Sequence, residues 1–570
     1  MAEEVWMLQT KKADFKQIGA RFRIDPVTAR IIRNRGIEGE AAIDRYLNGT
    51  LDDLYDPMLL KDMERAVSIL CEAVDTGKKI RIVGDYDIDG VCSTYILLQA
   101  FERLGSDVDF EIPDRIKDGY GINESIIEQA HADGVEVILT CDNGISAFHQ
   151  VELAKKYGMT VVITDHHEVP LDGEKEKIPP ADAVIDPKQA DCPYPFPEIC
   201  GAVVAYKLVQ VLYARRGVPQ MEWLDLLEFA AIATVGDVMK LQDENRILVK
   251  YGLKKMAQTK NLGLRRLAEK NNLDLGAITA YHIGFVIGPC LNAGGRLKTA
   301  KEALALLRAQ SEEEAERLAE ELKELNDTRK DMTEQGTEAA KLQVESWYQK
   351  DKVLVVFLPE CHESLAGIIA GRLREYYQKP AIVLTRGEEA VKGSGRSIDE
   401  YHMFKKLTEV SDLLLKFGGH PLAAGLSLEE KNIDEFRRRL NENAGLTEED
   451  FKAKVWIDVP MPVGYVTERL VRELSCLEPF GQGNEKPLFA EKSLRIRASR
   501  VLGRNRNVVK MTLEETDGHA IEALYFGDGT SFEEERAGRR EIDVVYYPDI
   551  NEYNGRKTLQ AVIRRYKFRG

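Results

Sequence analysis

Three aspartates stand at alternate positions in GDYDIDG, residues 84–90, directly after the β-branched run IRIV. In an extended chain alternate side chains share one face about 6.8 Å apart, so Asp85, Asp87 and Asp89 are pushed toward one place. Like charges about 4 Å apart repel by roughly 4 kcal/mol at an effective dielectric near 20, a cost that a bound cation would offset. The pattern recurs. VEVILTC runs into Asp142-Asn143-Gly144, MTVVIT into Asp165-His166-His167-Glu168, and FAAIATVG into Asp237. A single Asp after a strand is most often a helix cap or an Asx turn, and a lone His-His pair is most often structural. Four acidic clusters at the ends of apolar elements are too many for caps. Carboxylates with an imidazole and no thiolate suit Mn²⁺ or Mg²⁺, the histidine favouring Mn²⁺. Two such ions about 3.5–4 Å apart, bridged by one carboxylate, are the apparatus of phosphoester hydrolysis.

The elements that must position these acids follow from hydrophobic patterning. Short β-rich runs at 79–86, 135–141, 159–164 and 182–186 alternate with helical stretches at 91–104, 123–132 and 146–157. That alternation predicts a parallel sheet with both faces covered, and ligands of such sheets bind at the carboxyl ends of the strands. Helical periodicity continues through 201–214 and 222–235, and 300–345 reads as one or two long solvated helices. A second, smaller α/β unit begins at KVLVVFLP (352–359) and contains the glycine-rich runs KGSGRS (392–397) and FGGHPLAAG (417–425), read as turns. Beyond residue 450, five or so short strands suit an OB-like β-barrel. The expected division is an N-terminal segment 1–50, a catalytic domain 51–300, connecting helices 301–345, the second α/β domain 346–450 and the barrel 451–570.

At 570 residues the chain exceeds one core. Its eight cysteines contain no CxxC pair, which reads as reduced thiols. The first residues lack the basic-then-apolar layout of a signal peptide, and no apolar run is long enough to span a bilayer, so a cytoplasmic location is expected. The net charge of −16 argues against a generic nucleic-acid coat, yet 491–510 carries seven Lys/Arg against one Glu. Arg495, Arg497, Arg500, Arg504 and Arg506 there could track a nucleic-acid backbone, or simply form a solvated face.

GDYDIDG, CDNG, TDHHE and VGD, in this order, resemble the four motifs of the DHH phosphoesterase superfamily, and SGRS with FGGHPLAAG resembles its DHHA1 domain. GPCLNAGGRL (288–297), LEPFGQGNEKP (477–487) and the basic tail are similar to the single-strand-specific DNA exonuclease branch. The resemblance implies metal ligands at Asp85, Asp87, Asp142, His166 and Asp237, with Asp142 bridging. Asp89 would be a further ligand or its partner, Asp165 would orient the neighbouring imidazole, and His167 would face the scissile phosphate. Many superfamily members carry a histidine where this chain has Val83, so Asp85 is expected to supply that contact; Cys290 stands where the branch usually has arginine. Ser394, Arg396, His420 and Arg296 are implied phosphate holders, and Arg115 and Tyr120 are implied to lie on the DNA path. The activity implied is 5′ to 3′ hydrolysis of single-stranded DNA, in a monomer that works in repair and recombination with a single-strand-binding protein and a RecQ-type helicase. Two rivals remain: another DHH phosphodiesterase acting on oligoribonucleotides or cyclic dinucleotides, or a non-catalytic single-strand binder.

Overall fold

Runs of Ile, Val and Leu bounded by polar turns form the first sheet, and in the computed structural model, described for residues 4–553 and 555–569, these runs are five parallel strands. They are β1 (Ile80–Val83), β2 (Val108–Glu111), β3 (Val137–Cys141), β4 (Thr160–Thr164) and β5 (Ala183–Ile185), ordered β2-β1-β3-β4-β5. β1, β3 and β5 are buried at every position, as a sheet covered on both faces requires. β2, which the alternation did not predict, pairs along the β1 edge. Helix α1 (Ile88–Arg103) follows β1 and is buried through 13 of its positions. α2 (Glu124–Ala132) and α3 (Phe148–Lys156) complete the β–α alternation, and α4 (Gly201–Arg216) and α5 (Leu227–Gly236) pack against α1.

Register decides where the acids fall. Val83 pairs with Thr140, Thr140 with Ile163, and Ile163 with Val184. Two residues beyond this level row stand Asp85, Asp142, Asp165 and Asp186. The carboxyl edge of the sheet is therefore a row of four aspartates.

α6 (Gly288–Leu297) leads to a single helix, α7 (Glu312–Gln343), of 32 residues and about 48 Å. Ser311 caps it by accepting from Glu314 N–H. Its buried positions, among them Ala315, Leu318, Leu322, Asn326, Thr333 and Ala340, recur at three- to four-residue spacing. The first half packs on α6 and the second on α8 (Ala366–Tyr377). A Cβ at Gly336 would lie 2.6 Å from Ile369 Cδ1, so glycine permits that close packing.

The smaller α/β unit has strands β6 (Leu354–Phe357), β7 (Ala381–Arg386), β8 (Val391–Arg396), β9 (Leu414–Gly419) and β10 (Ala423–Leu428), ordered β9-β10-β8-β7-β6. Val353, Val355, Ile382 and Leu384 enter one core, while Leu354, Val356, Ala381 and Val383 enter the other, the period-two alternation of a two-sided sheet. The glycine-rich runs depart from expectation here: VKGSGR is strand β8, and the FGG and AAG stretches lie in β9 and β10. Only His420 to Leu422 form the turn.

The last sheet lies within residues 454–570 and has strands β11 (Val459–Pro460), β12 (Phe489–Leu502), β13 (Val508–Glu514), β14 (Ala520–Phe526), β15 (Glu541–Tyr553) and β16 (Arg556–Phe568). The order β11-β12-β13-β14-β16-β15, with β12 also pairing β15, closes a barrel. Residues 6–54 and 240–250 belong to the same compact unit. Ile31, Ile32, Ile43 and Tyr46 enter the barrel's core cluster. Arg246 donates to the carbonyls of Tyr46 (3.0 Å), Cys476 (2.7 Å) and Leu477 (2.8 Å), and Asn484 of the GQGN run accepts from Tyr46 Oη at 2.8 Å. Residues 55–239 and 251–453 make the other unit. Among the described residues no helix is long and apolar enough to cross a membrane.

Candidate metal centre and phosphate crevice

The row of strand ends becomes a pocket because glycines let the chain close on itself. A Cβ at Gly90 would lie 2.4 Å from the Asp85 carbonyl oxygen, and one at Gly201 would lie 2.7 Å from Asp142 Cβ. Asp142 itself adopts φ +61, in the left-handed region that non-glycine residues rarely occupy. Strain of that kind concentrates at working sites. Gly201→Ala is therefore expected to lower activity about 10- to 100-fold by displacing Asp142, as loss of a supporting contact does, with circular dichroism unchanged; steady-state rates check it.

The carboxylates and histidines gather into three groups, two of which contain Asp142. Asp85, Asp87 and Asp142 offer ligand oxygens within 4.8 Å of one another, as do the groups of Asp89, His166 and Asp237 and those of Asp142, His166 and His167. His166 Nε2 lies 3.1 Å from Asp142 Oδ1, 3.4 Å from Asp89 Oδ2 and 3.8 Å from Asp237 Oδ2. Asp85 Oδ2, Asp142 Oδ1 and His166 Nδ1 are buried without a hydrogen-bond partner. Burial, with neighbouring acids, pushes Asp85 and Asp237 up to about 8 and Asp142 well above the usual carboxylate range. Burial also lowers His166, leaving a neutral imidazole with a lone pair to offer. Buried acceptors with few donors among them fit divalent cations.

Other polar groups fix this arrangement. Asp87 caps α1, accepting from the Asp89 and Gly90 amides at 3.0 and 3.1 Å. Both Asp89 oxygens accept from the first amides of α4, Gly201 (2.7 Å) and Ala202 (2.8 Å), so Asp89 caps one helix while sitting on another. Asp165 orients His167, not His166: His167 Nδ1 donates to Asp165 Oδ1 at 2.7 Å. Burial opposes protonation of His167, but that bond and the charge of Asp165 outweigh it and raise the group to about 9. Val83 sits buried with its carbonyl accepting from Asn143 Nδ2 (3.0 Å), and Asp85, two residues on, reaches the pocket.

One side chain of the pocket escaped sequence reasoning. Asp186 is wholly buried, Oδ2 is unpartnered, and burial beside Asp165 pushes it up to about 7. Its signal was its place one residue after the strand AVI, as Asp142 and Asp165 stand one residue after theirs. Tyr120, expected along a DNA path, is half exposed, and its hydroxyl reaches the pocket: it donates to the Asp142 carbonyl at 2.8 Å and lies 3.2 Å from His167 Nε2. Gly121 N–H reaches Asp85 Oδ1 at 3.2 Å, docking the same loop.

Beside the metal pocket lies a basic crevice between the sheet edge and the smaller α/β unit. A cavity of about 320 Å³ is lined by Tyr86, Arg115, Lys392 and Ser394, among others. Arg115 stacks over Tyr86 at 4.6 Å. Arg396 donates to Ser394 Oγ (3.3 Å), and a Cβ at Gly367 would strike Arg396 Nη2 at 2.8 Å. Arg296 donates to the Ser364 carbonyl at 3.0 Å. Burial, then Arg115 and Arg329, lowers Arg296 to about 10, and burial with Arg374 and Arg115 lowers Arg396. Partly buried guanidinium groups this close to one another suit an anion. His420 stands exposed in the β9–β10 turn. Cys290 is buried, its sulfur contacting Asn326 Nδ2 at 3.4 Å. On the barrel, Arg495, Arg497, Arg500, Arg504 and Arg506 are all exposed. Arg497 pairs with Glu514, which offsets its charge, while Arg506 donates to the neutral Thr530 Oγ1 (3.2 Å).

Family models match three segments: the DHH family N-terminal domain at residues 79–234, the DHHA1 domain at 350–445 and the RecJ OB domain at 457–565. The chain is 36% identical to the single-stranded-DNA-specific exonuclease RecJ of Bacillus subtilis over 98% of this chain and 70% of that protein. It is 34% identical to RecJ of Escherichia coli over 95% of each. The crystal structure of RecJ with Mn²⁺ from Thermus thermophilus superposes with a TM-score of 0.84 at 28% identity, covering 99% of this chain and 80% of that one. A Mg²⁺ complex of the same protein superposes at 0.77, with 27% identity over 99% and 78% of the chains.

Proposed function

Because the chain belongs to the RecJ family of single-stranded-DNA-specific exonucleases, we propose that it hydrolyses single-stranded DNA from the 5′ end to 5′-mononucleotides, using Mn²⁺ or Mg²⁺. The observation that carries this reading is the pair of ligand groups that share Asp142, one with Asp85 and Asp87 and one with His166 and His167, beside a cluster of guanidinium groups. Asp85, Asp87 and Asp142 would hold one ion, and Asp142, His166, Asp237 and Asp89 the other. Such ions, when bound, supply Lewis acidity at the phosphoryl oxygens and a nucleophilic water at neutral pH.

The chain's own groups do the rest. Asp165 and the Tyr120 hydroxyl hold His167 protonated and aimed into the pocket, where it neutralises charge on the scissile phosphate. Arg296, Arg396 and Ser394 grip the terminal phosphate, arginine bidentately, and Arg115 with Tyr86 braces the strand near its end. Arg396→Ala removes a charge-assisted hydrogen bond and is expected to raise KM about 10- to 100-fold with kcat nearly unchanged, measured on short 5′-phosphorylated strands.

The barrel arginines extend the grip along a longer strand. Truncating residues 454–570 would strip Ile31, Ile32, Ile43 and Tyr46 of their core, so substitution is the cleaner experiment. Arg495→Gln with Arg500→Gln is expected to flatten the salt dependence of binding by about 0.7 in log–log slope per lost phosphate contact, leaving dinucleotide hydrolysis intact. This reading places the protein in cytoplasmic DNA repair and recombination, as a monomer alongside a single-strand-binding protein and a RecQ-type helicase. The deciding assay incubates 5′- and 3′-labelled single strands, duplex and RNA with Mn²⁺ or EDTA. Mononucleotides released first from the 5′ label, only from single strands and only with metal, uphold it; preference for RNA dinucleotides or metal-independent binding alone would replace it with one of the rivals.

A further inference from the structure

The basic crevice holds more cations than one terminal phosphate needs. Arg115, Arg296 and Arg396 form an inner rank, and Arg329 of α7 with Arg372 and Arg374 of α8 form an outer one. The ranks are contiguous. Besides burial, Arg115 and Arg329 hold Arg296 down, Arg374 and Arg115 hold Arg396 down, and Arg372 holds Arg329 down. Among the described residues only Arg374 of these groups forms an ion pair, with the neighbouring Glu375 at 2.9 Å, and that exposed pair is weak. Arg329 spends Nε and Nη2 on a neutral partner, Asn326 Oδ1, at 3.1 and 2.9 Å. Asp87 also acts on Arg296, but from the metal pocket.

A glycine face of α8 joins the two ranks. Gly367, Gly371 and Arg374 follow at four- and three-residue spacing, so they share one side of the helix. At Gly367 a Cβ would lie 2.8 Å from Arg396 Nη2 and 2.9 Å from Ser394 Oγ, and packing accounts for that glycine. At Gly371 a Cβ would meet nothing within 4 Å. Glycine weakens a helix interior relative to alanine, and no contact within the chain explains this one. It leaves bare backbone beside cations, a surface that a bulky anion can approach closely. Arg374 lies about 10 Å beyond Gly367 along the axis. Helical side chains lean toward the N-terminus, which carries its guanidinium back toward Gly371 and Arg396. A strand ending in one 5′-phosphate fills the inner rank and leaves the outer one idle; further phosphates in line with the first would reach it.

We propose that this face admits a 5′-triphosphorylated single strand, with the first phosphate at Arg296 and Arg396 and the outer two over Gly371, gripped by Arg374, Arg372 and Arg329. This rests on the reading that the crevice receives the 5′ end. Hydrolysis adds water across the first P–O3′ bond. The hydroxyl joins the phosphorus, which stays on the shortened strand, and the proton joins the departing 3′ oxygen, so the released piece is a nucleoside triphosphate.

Three ligands decide it: one DNA strand with a 5′-monophosphate, the same strand with a 5′-triphosphate, and free dATP. Each competes with a labelled monophosphorylated strand for the full-length protein in EDTA, and products are then read with Mn²⁺. The triphosphorylated strand is expected to bind about ten-fold or more tighter than the monophosphorylated one, through its added charge-assisted hydrogen bonds. It should also exceed dATP, which lacks the downstream nucleotides, and its first product should be a nucleoside triphosphate. Arg372→Ala and Arg374→Ala are each expected to weaken the triphosphorylated strand about ten-fold and leave the monophosphorylated strand nearly unchanged. Gly371→Leu, which covers the bare face with a good helix former, is expected to do the same while melting no lower than the parent. The proposal is overturned if the two strands bind alike, if dATP competes as well as the triphosphorylated strand, if Mn²⁺ cleaves the monophosphorylated strand alone, or if the substitutions weaken both strands equally. Tighter binding of the triphosphorylated strand with neither strand cleaved upholds it and removes the hydrolytic reading instead.

Discussion

Asp142→Asn is expected to lose more than about 10³-fold of metal-dependent single-strand hydrolysis while melting at a higher temperature than the parent in EDTA. The two effects have opposite signs for one reason. Asp142 is buried among Asp85, Asp87, Asp89 and Asp237, whose charges together with burial push its carboxyl well above the usual range. Without ions that crowding is a liability, and an amide of nearly the same shape relieves it. Asparagine also tolerates the φ of +61 found here, whereas alanine would add strain and blur the stability comparison. Activity should fall further than the ten- to hundred-fold typical of partners that merely orient a ligand, because Asp142 belongs to two ligand sets at once. The checks are kcat/KM on a labelled 5′ strand and a thermal melt in EDTA. Residual activity within ten-fold of the parent would remove Asp142 from the centre, and a lower melting temperature would show that the carboxylate is held by donors instead of repelled by acids.

Much of this centre was legible because its acids follow strands of plain composition. IRIV, VILTC and TVVIT read as buried parallel strands, and parallel register brings the acids one or two residues past their ends into one row in space. Asp186 was missed since AVI is only three residues long and the eye stops at the strand, although its register with the neighbouring strand places it in the row. KGSGRS looked like a loop because glycine usually signals one. In β8 its glycines instead make room: a Cβ at Gly393 would meet Leu384 Cδ2 at 2.6 Å across the sheet. The inward turn of the Tyr120 hydroxyl depends on how a loop docks onto Asp85 and Asn143, a contact between residues 21 to 36 positions apart that no local period encodes. Likewise nothing in residues 6–54 announces that Ile31, Ile32 and Tyr46 finish the core of a barrel more than 400 residues later. Patterning reports which face a residue buries, not against what.

The same crowding predicts how stability responds to pH and metal together. In the metal-free protein Asp85 and Asp237 titrate near about 8, against 3.8 for an unperturbed aspartate. Between roughly pH 4 and 8 the folded state therefore holds protons that the unfolded state has released, so stability falls as pH rises. That contribution is complete below about 4 and exhausted above about 8. Mn²⁺ competes with those protons for the same oxygens, so its affinity climbs over the same interval. At a hundred-fold excess over the dissociation constant, binding adds about 2.7 kcal/mol, a shift of a few degrees in the melting temperature of a chain this size. Melting curves at pH 5, 6, 7 and 8 should thus diverge: the EDTA curve drops with pH while the Mn²⁺ curve holds, and the gap between them is widest at pH 8. A gap of constant width would mean that the ions sit away from these carboxylates, and an EDTA curve that rises with pH would mean that the acids are already ionised and satisfied in the folded chain. Either result would break the link between buried repulsion and metal on which the hydrolytic reading stands.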